Sequence, residues 1–432
     1  MDATHEPLPP VPLDDASALL GLAARLLYAN GHSTRSVIER VEQLGRSIGY
    51  SAALFPSWAQ LIVRLKALDE TRTEKILIIE SPPAGVDMNM VMKTLEVLDG
   101  VSARRLDVGG AISALKEVAR LPPPSTLRFA ALAGAGAAAL GVVFGGAHVF
   151  SLILIAFSAA AGAVLRRIIA VRGGAALAQA LWAALMAGLV AAGSTRFLGL
   201  ADADAALVAL CPCMVLMPGA HFLNAALDFA RLRIGLGQAR FGYAALITLL
   251  ICVGLIAGLS LGRQTLPSPG PATITPLAFD VLAAGVAVAA YGTFFSMPWR
   301  TLPIPVAIGM LAHASRWVAL DWGANPPLGA FIACLIAGAL ATPIANRLHL
   351  PFAAFAFASV VSLIPGIYLF HMAAELVAVM NAGSDGDVQL LMAPFTNGAA
   401  AGAILIAMAL GLILPKLLME SLLPTLAGLT KG

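Results

Sequence analysis

Two short apolar segments hold the residues whose types and spacing could do chemistry. Residues 214–228 read MVLMPGAHFLNAALD, and residues 361–375 read VSLIPGIYLFHMAAE. Each segment ends in a carboxylate, Asp228 in the first and Glu375 in the second. A carboxylate among apolar residues is costly unless it faces a cavity or a partner, and burial favours its protonated form. Both side chains are therefore candidates for carrying a proton. For Asp228, a local salt bridge with Arg231, one turn away, is the alternative.

The centre of each segment predicts an interrupted helix. The pairs Pro218-Gly219 and Pro365-Gly366 lie 147 residues apart. Proline removes a backbone donor and glycine weakens a helix, so each segment is expected to break there. The N–H groups that start the second half of a broken helix favour an anion such as the carboxylate of a small substrate. A simple proline kink, buried by neighbouring helices, is the alternative.

Polar side chains occupy matching positions after the two breaks. Asn224 aligns with His371, and His221 aligns with Tyr368. Such groups can hydrogen-bond a substrate hydroxyl or ammonium group, or they can hold two helices together. A further histidine, His313, stands alone in another apolar stretch and is expected to be a packing residue.

The composition predicts a membrane protein behind a soluble domain. Of the 432 residues 59% are hydrophobic and 12% are charged, with a mean hydropathy of +0.86. Soluble chains average about 25% charged residues. Residues 1–121 hold 28 of the 51 charged residues. The net charge of +3 is small and the arginines form no basic patch, so no nucleic acid partner is expected.

The first part of the chain predicts a small α+β domain over residues 14–121. Residues 1–13 are proline-rich and are expected to be disordered. They lack the basic start and apolar core of a signal peptide, so the N-terminus is expected to stay in the cytoplasm. The domain's predicted elements are two amphipathic helices within 16–48, strands at 51–66 and 74–80, and helices at 87–98 and 107–119.

From residue 127 onward the chain consists of ten long apolar runs, which predicts an all-α polytopic membrane protein. Most runs match the ~20 residues that cross a bilayer. The fourth and ninth are longer, and they contain the Pro-Gly pairs. A Pro- and Gly-rich linker, 263–275, separates two five-span repeats, 127–261 and 276–420. The runs are 127–145, 147–165, 175–193, 203–230, 241–261, 276–296, 302–320, 327–345, 350–380 and 394–414, with Asp280 at the start of the sixth.

Lysine and arginine predict the orientation of the spans. With residue 127 on the cytoplasmic side, eleven basic residues fall inside and three outside. The N- and C-termini are then both cytoplasmic. Because each repeat has five spans, the second enters from the opposite side, as in the inverted repeats of secondary transporters. The inside set is Arg128, Arg166, Arg167, Arg172, Arg231, Arg233, Arg240, Arg300, Arg347, Lys416 and Lys431; the outside set is Arg196, Arg263 and Arg316.

The chain resembles the threonine/serine exporter family over residues ~16–420. The resemblance rests on LLYANGHSTRSVIERVEQLGRSIGY and GVDMNMVMKTLEVLDG in the first domain, MPGAHFLNAALDF in the first repeat, and MPWRTLP and SLIPGIYL in the second. The family often has a further Pro-Gly before the second break, whereas this chain reads PFAAFAFASVVS there. Fused members of the family have a cytoplasmic domain before two five-span halves.

The resemblance implies a multi-pass transporter of the bacterial inner membrane. It implies export of small hydrophilic metabolites, threonine and serine first, by antiport against protons. A dicarboxylate such as succinate is the alternative substrate, because split relatives suggest one. The expected partners are the small-molecule substrate, protons and membrane lipid, and a homo-oligomer remains open.

Other classes of function have less support in the sequence. A membrane-embedded enzyme would need catalytic pairs within the spans, and the chain offers none, so no catalytic residue is expected. A passive channel is a further alternative, although paired broken helices favour alternating access. There is no Walker motif to suggest ATP drive. No cofactor and no metal site are expected, since the four cysteines lie in apolar stretches without metal-ligand spacing.

Overall fold

A computed structural model of the protein contains two compact units. The model describes residues 11–68, 74–83, 85–146, 148–267, 275–348, 350–383 and 387–429, and side chains through Glu420. One unit joins the chain up to Pro123 with Asn224–Arg240 and Ala345–Ala354, and the other contains the remainder. Residues 1–10 of the segment expected to be disordered, and 268–274 of the expected linker, lie outside the described residues.

The first unit contains the small α+β fold that the sequence predicts. Its sheet has the order β1-β2-β3, and both strand pairs are antiparallel. The run 51–66 forms two strands, because the backbone turns between Ser57 and Gln60. Alternate residues of β2 are buried, so one face of the sheet lies in the core. The elements are α1 Leu13–Ala29, α2 Thr34–Ser47, β1 Tyr50–Pro56, β2 Gln60–Ala67, β3 Glu74–Glu80, α3 Met88–Ser102 and α4 Val108–Val118.

The remaining helices repeat one order of elements. Each half has three continuous helices, then a broken helix, then one long helix. The first half consists of α5 Thr126–Val143, α6 Val149–Val171, α7 Ala176–Leu198, the broken pair α8 Asp202–Met214 and α9 Gly219–Ala230, and α10 Ile234–Leu261. The second half consists of α11 Leu277–Phe294, α12 Pro303–Asp321, α13 Pro326–Arg347, α14 Phe352–Ser359, a 3-10 turn Val361–Leu363, α15 Gly366–Ala382 and α16 Val388–Leu429.

The number of candidate spans is smaller than the ten that the sequence predicts. Among the described residues, eight helical stretches are long and apolar enough to cross a membrane, and α8 with α9, bent by 56°, makes nine. Helix α12 is not counted, because His313 and Arg316 lower its hydropathy. The mostly helical, multi-span character is confirmed, whereas ten spans are not.

Glycines let α7 and α10 cross at close range. A Cβ atom built on Gly188 would lie 2.4 Å from the carbonyl oxygen of Leu255. The facing glycine of α10, Gly258, would place its Cβ 2.2 Å from the carbonyl oxygen of Leu185. Both distances are far below van der Waals contact. The two backbones therefore touch, as in the small-residue interfaces of membrane helices.

We predict that Gly258→Val lowers the melting temperature of the purified protein in detergent. The added side chain must push α10 away from α7, and such overpacking costs about 1–3 kcal/mol or more. The matched control is Gly242→Val on the same helix, since no atom lies within 4 Å of a Cβ at Gly242. Equal melting temperatures for the two variants would contradict the close crossing.

Candidate functional site

The two Pro-Gly breaks have matching backbone hydrogen bonds at the same offset of 147 residues. Four bonds of the first break each have a counterpart in the second, with distances that agree within 0.2 Å. The local repeat seen in the sequence is therefore also a repeat of backbone conformation. The N–H groups of Leu216, Met217, Gly219 and Phe222 donate to the carbonyls of Cys213, Met214, Met217 and Pro218 at 3.0, 3.2, 3.0 and 3.3 Å. The N–H groups of Leu363, Ile364, Gly366 and Leu369 donate to the carbonyls of Val360, Val361, Ile364 and Pro365 at 2.9, 3.3, 2.8 and 3.2 Å.

The broken segments also pack against each other, each through the glycine of its break. A Cβ built on Gly219 would lie 1.7 Å from the ring of Phe357, which precedes the second break. A Cβ built on Gly366 would lie 2.8 Å from Cγ of Met214, at the end of α8. The hydroxyl of Tyr291 donates to the carbonyl of Met214 at 2.6 Å and ties α11 to the same place. Both glycines are thus required by close approach of the opposite segment.

The two polar residues after the first break have different surroundings. The ring of His221 is buried and meets Tyr243 edge to face, with 5.2 Å between ring centroids. Asn224 lies in the first unit and is also buried, and its amide donates to the carbonyl of Gly31 at 3.3 Å. Asn224 therefore holds α9 against the turn between α1 and α2.

Asp228 forms the centre of a buried charged cluster in the first unit. One carboxylate oxygen accepts from the hydroxyl of Thr34 at 3.1 Å and lies 3.1 Å from Nε of Arg240. Arg233 approaches the other oxygen at 3.7 Å. The Arg240 guanidinium is fully buried, with its carbon 5.2 Å from the ring centroid of Tyr28. Asp228 is thus ion-paired with Arg240 and Arg233, neither of which is the Arg231 partner that its spacing suggested.

The polar residues after the second break have weaker partners. Tyr368 is partly exposed and interacts electrostatically with Arg316. His371 is 3% exposed, and its Nε2 atom has no hydrogen-bond partner among the described residues. Both carboxylate oxygens of Glu375 accept from the amide of Asn397 on α16, at 2.8 Å each. Glu375 therefore has a neutral partner where Asp228 has two cations.

A buried acid–base pair lies in the second half. Nδ1 of His313 on α12 is 2.9 Å from a carboxylate oxygen of Asp280 on α11, and both residues are buried. Nε2 of His313 has no hydrogen-bond partner in the described part of the chain. Arg316 interacts electrostatically with Asp280. His313 is thus paired, which the sequence did not predict.

The sequence shows the polar residues of these pairs but does not predict which of them lie together. Asp280 and His313 are polar residues in successive apolar runs, but their pairing depends on how α11 and α12 are rotated against each other. Arg240 was counted among cytoplasmic loop residues, yet it lies inside α10. Its partner Asp228 is twelve residues away along the chain, a separation for which helical periodicity predicts no contact.

The arrangement as a whole suits proton and solute binding. The polar groups that follow the two breaks are carboxylates, imidazoles, an amide and a phenol, and a separate buried Asp280–His313 pair joins α11 to α12. The described residues contain no group of three or more His, Cys, Asp or Glu side chains that could hold a metal ion.

We predict that Arg240→Met destabilises the protein by roughly 3–5 kcal/mol, because it leaves Asp228 buried without its main cation. The readout is the melting temperature of the full chain in detergent. The double variant Asp228→Asn, Arg240→Met should recover part of the loss, since it removes the buried carboxylate that lacked its main cation.

The control is Arg46→Met, which removes the arginine of the Arg46–Glu42 pair, whose Arg46 side chain is 67% exposed. Exposed pairs contribute about 0–1 kcal/mol. A melting temperature of Arg240→Met equal to that of Arg46→Met would contradict the importance of the buried cluster.

Comparison with known proteins shows the family. No solved structure matches the chain. A family model described as "Putative threonine/serine exporter" matches residues 18–262. A second model, described as "Threonine/Serine exporter, ThrE", matches residues 280–418. The first match alone covers more than half of the chain, and the second covers the other repeat. The chain belongs to the threonine/serine exporter family.

Proposed function

We propose that this protein is a secondary transporter that exports threonine and serine in exchange for protons. Family membership supports export of these amino acids. The observation that carries the mechanism is the pair of breaks, which share one hydrogen-bond pattern and pack on each other's glycines. Matched broken helices in two halves are the usual site of substrate binding in secondary transporters.

The proposed topology is that of an alternating-access carrier in the bacterial inner membrane. The halves 127–261 and 276–420 are inverted repeats, and residues 14–121 form a cytoplasmic domain, with both termini on that side. The repeated order of elements supports this topology. Phe357 occupies the space beside Gly219, and Met214 the space beside Gly366, so a shift of one break displaces the other. This coupling gives the two halves a means to exchange open and closed states.

The substrate contacts in this proposal surround the two breaks. The backbone after each Pro-Gly pair offers N–H groups for a carboxylate. The buried His371 retains an unused nitrogen that can bind a substrate hydroxyl or ammonium group. Asn224 has the least support, because its amide already donates to Gly31. The proposed set is Pro218, Gly219, His221, Asn224, Pro365, Gly366, Tyr368 and His371.

Of the two candidate proton carriers, Glu375 has the stronger support. Its partner Asn397 is a neutral donor, so neutralising Glu375 leaves no unpaired positive charge. Asp228 lies beside two cations, Arg240 and Arg233, which favours the salt-bridge alternative. Loss of a proton from a carboxylic acid in an apolar region is costly, so proton binding at Glu375 can be tied to substrate movement.

We predict that Gly219→Ala lowers threonine efflux by at least about tenfold, because the methyl group would overlap the Phe357 ring. Proteoliposomes containing the full chain would be loaded with labelled threonine, serine or succinate. The control is Gly402→Ala on α16, since no atom lies within 4 Å of a Cβ there. Gly366→Ala should be milder, because Met214 is flexible.

The unmodified protein in the same assay decides the substrate. Efflux of threonine and serine, without succinate, supports the proposal. Movement of succinate alone would select the dicarboxylate alternative. Flux that shows no saturation with substrate would indicate a channel.

We predict that Glu375→Gln abolishes efflux driven by a proton gradient but retains threonine–threonine exchange. Glutamine keeps a hydrogen bond with Asn397 but cannot release a proton. The measurement compares efflux with and without an uncoupler, and exchange at zero gradient. Asp228→Asn tests the other carboxylate. Uncoupler-sensitive efflux at the normal rate in Glu375→Gln would exclude Glu375 as the proton carrier.

A further inference from the structure

Two adjacent arginines at the end of α6 have different surroundings. Arg167 donates to the carbonyl of Pro124 at 3.0 Å and lies over the ring of Phe129. Arg166 makes neither a hydrogen bond nor an ion pair with any described residue, and its Nε atom is buried. Its guanidinium carbon lies 4.6 Å from the ring centroid of Phe294. The neighbours of this cation are thus aromatic rings, and its Nε donor is unused.

The second half contains the counterpart of this arrangement. There the indole N–H of Trp317 donates to the carbonyl of Thr275 at 3.0 Å, as Arg167 donates to Pro124 in the first half. Both acceptors precede the first helix of their half. The residue before Trp317 is Arg316, so Arg316 and Arg166 occupy equivalent positions.

The two equivalent arginines differ in the residue that the first helix of their half places near them. Arg316 interacts electrostatically with Asp280 on α11, the first helix of its half. In the first half, the residue near Arg166 on the corresponding helix is Phe129, 5.7 Å from the guanidinium to the ring centroid. The second half thus has a carboxylate, Asp280, on its first helix, where it pairs with His313, whereas no described residue forms an ion pair with Arg166.

A small cavity adjoins Arg166 and contains a second unused polar group. Ser158, one of its lining residues, is 2% exposed, and its hydroxyl has no hydrogen-bond partner among the described residues. Serines in helices usually bond back to the carbonyl four residues earlier, as Ser359 does with Phe355 at 3.1 Å. The rest of the lining includes Ala133, Gly162, Ala183 and two residues of the first broken segment, Pro212 and Leu216.

We propose that Arg166 and Ser158 form a subsite for the carboxylate of the transported molecule. A guanidinium with free donors and a buried hydroxyl are the groups that bind a carboxylate. Burial strengthens the charge interaction, and the alanine and glycine walls add no competing side-chain donors. Pro212 and Leu216 place the subsite beside the first break, where the proposed pathway lies. This inference rests on the proposed export function and specifies which part of the substrate is recognised, and where.

The first test measures transport kinetics of the full chain in proteoliposomes. For Arg166→Gln, we expect the KM for threonine to rise about tenfold or more, with a smaller change in kcat, because a charge-assisted contact is lost. Arg166→Lys should retain part of the affinity. Serine amide, which lacks the carboxylate, should compete poorly in the unmodified protein, and that discrimination should disappear in Arg166→Gln.

The control for this test is Arg172→Gln, which removes an exposed arginine at the end of the same helix. It should leave KM and the discrimination against the amide unchanged. If Arg166→Gln lowers only the amount of folded protein, or keeps normal KM and discrimination, the subsite is refuted.

A second test does not depend on transport of any particular substrate. Ser158→Cys is labelled in the purified full chain with a negatively charged and a positively charged methanethiosulfonate reagent, and the labelling of the parent protein's four cysteines is subtracted. The anionic reagent should react faster, and adding Arg166→Gln should remove the preference. The same ratio with and without Arg166 would overturn the subsite. Failure to transport threonine or serine, with the anion preference intact, would overturn the proposed substrates alone.

Discussion

The backbone at the two Pro-Gly breaks is the constraint on which the rest of the membrane part depends. In an apolar environment every backbone N–H and carbonyl group needs a partner, and proline removes one donor from the helical ladder. In both breaks the same short-range hydrogen bonds satisfy backbone groups. The N–H of Gly219 donates to the carbonyl of Met217, and the N–H of Gly366 donates to the carbonyl of Ile364. The close turn leaves no room for side chains at the glycines, and the opposite segment fills that space.

Charges around these breaks are distributed unequally between the halves. Asp228, after the first break, is ion-paired with two arginines, whereas Glu375, after the second, accepts hydrogen bonds from the amide of Asn397. The second helices of the two halves also differ: on α12, His313 is paired with the carboxylate of Asp280, whereas Arg166 on α6 has no ion-pair partner among the described residues.

Several elements could be predicted from the sequence because they depend on local properties. The α+β unit, the apolar helices and the two breaks follow from periodicity, hydropathy and proline chemistry. Boundaries were less predictable. Helix α10 begins at Ile234, before the apolar run at 241, and so includes Arg240, which is buried in a pair with Asp228. The run 51–66 forms a hairpin, because the backbone turns at Ser57. No glycine or further proline follows Pro56 to mark that turn in the sequence.

The sequence by itself determined that the chain has paired interrupted helices carrying carboxylates, since Pro-Gly spacing and hydropathy act over a few residues. Only the tertiary structure decided the partner of each polar group. The pairs Asp228–Arg240, Asp280–His313 and Glu375–Asn397 join different helices, and helix rotation is set by packing of many small contacts. For the same reason, the sequence presents Arg166 as one more loop cation, and only packing places it beside a cavity with no ion-pair partner among the described residues.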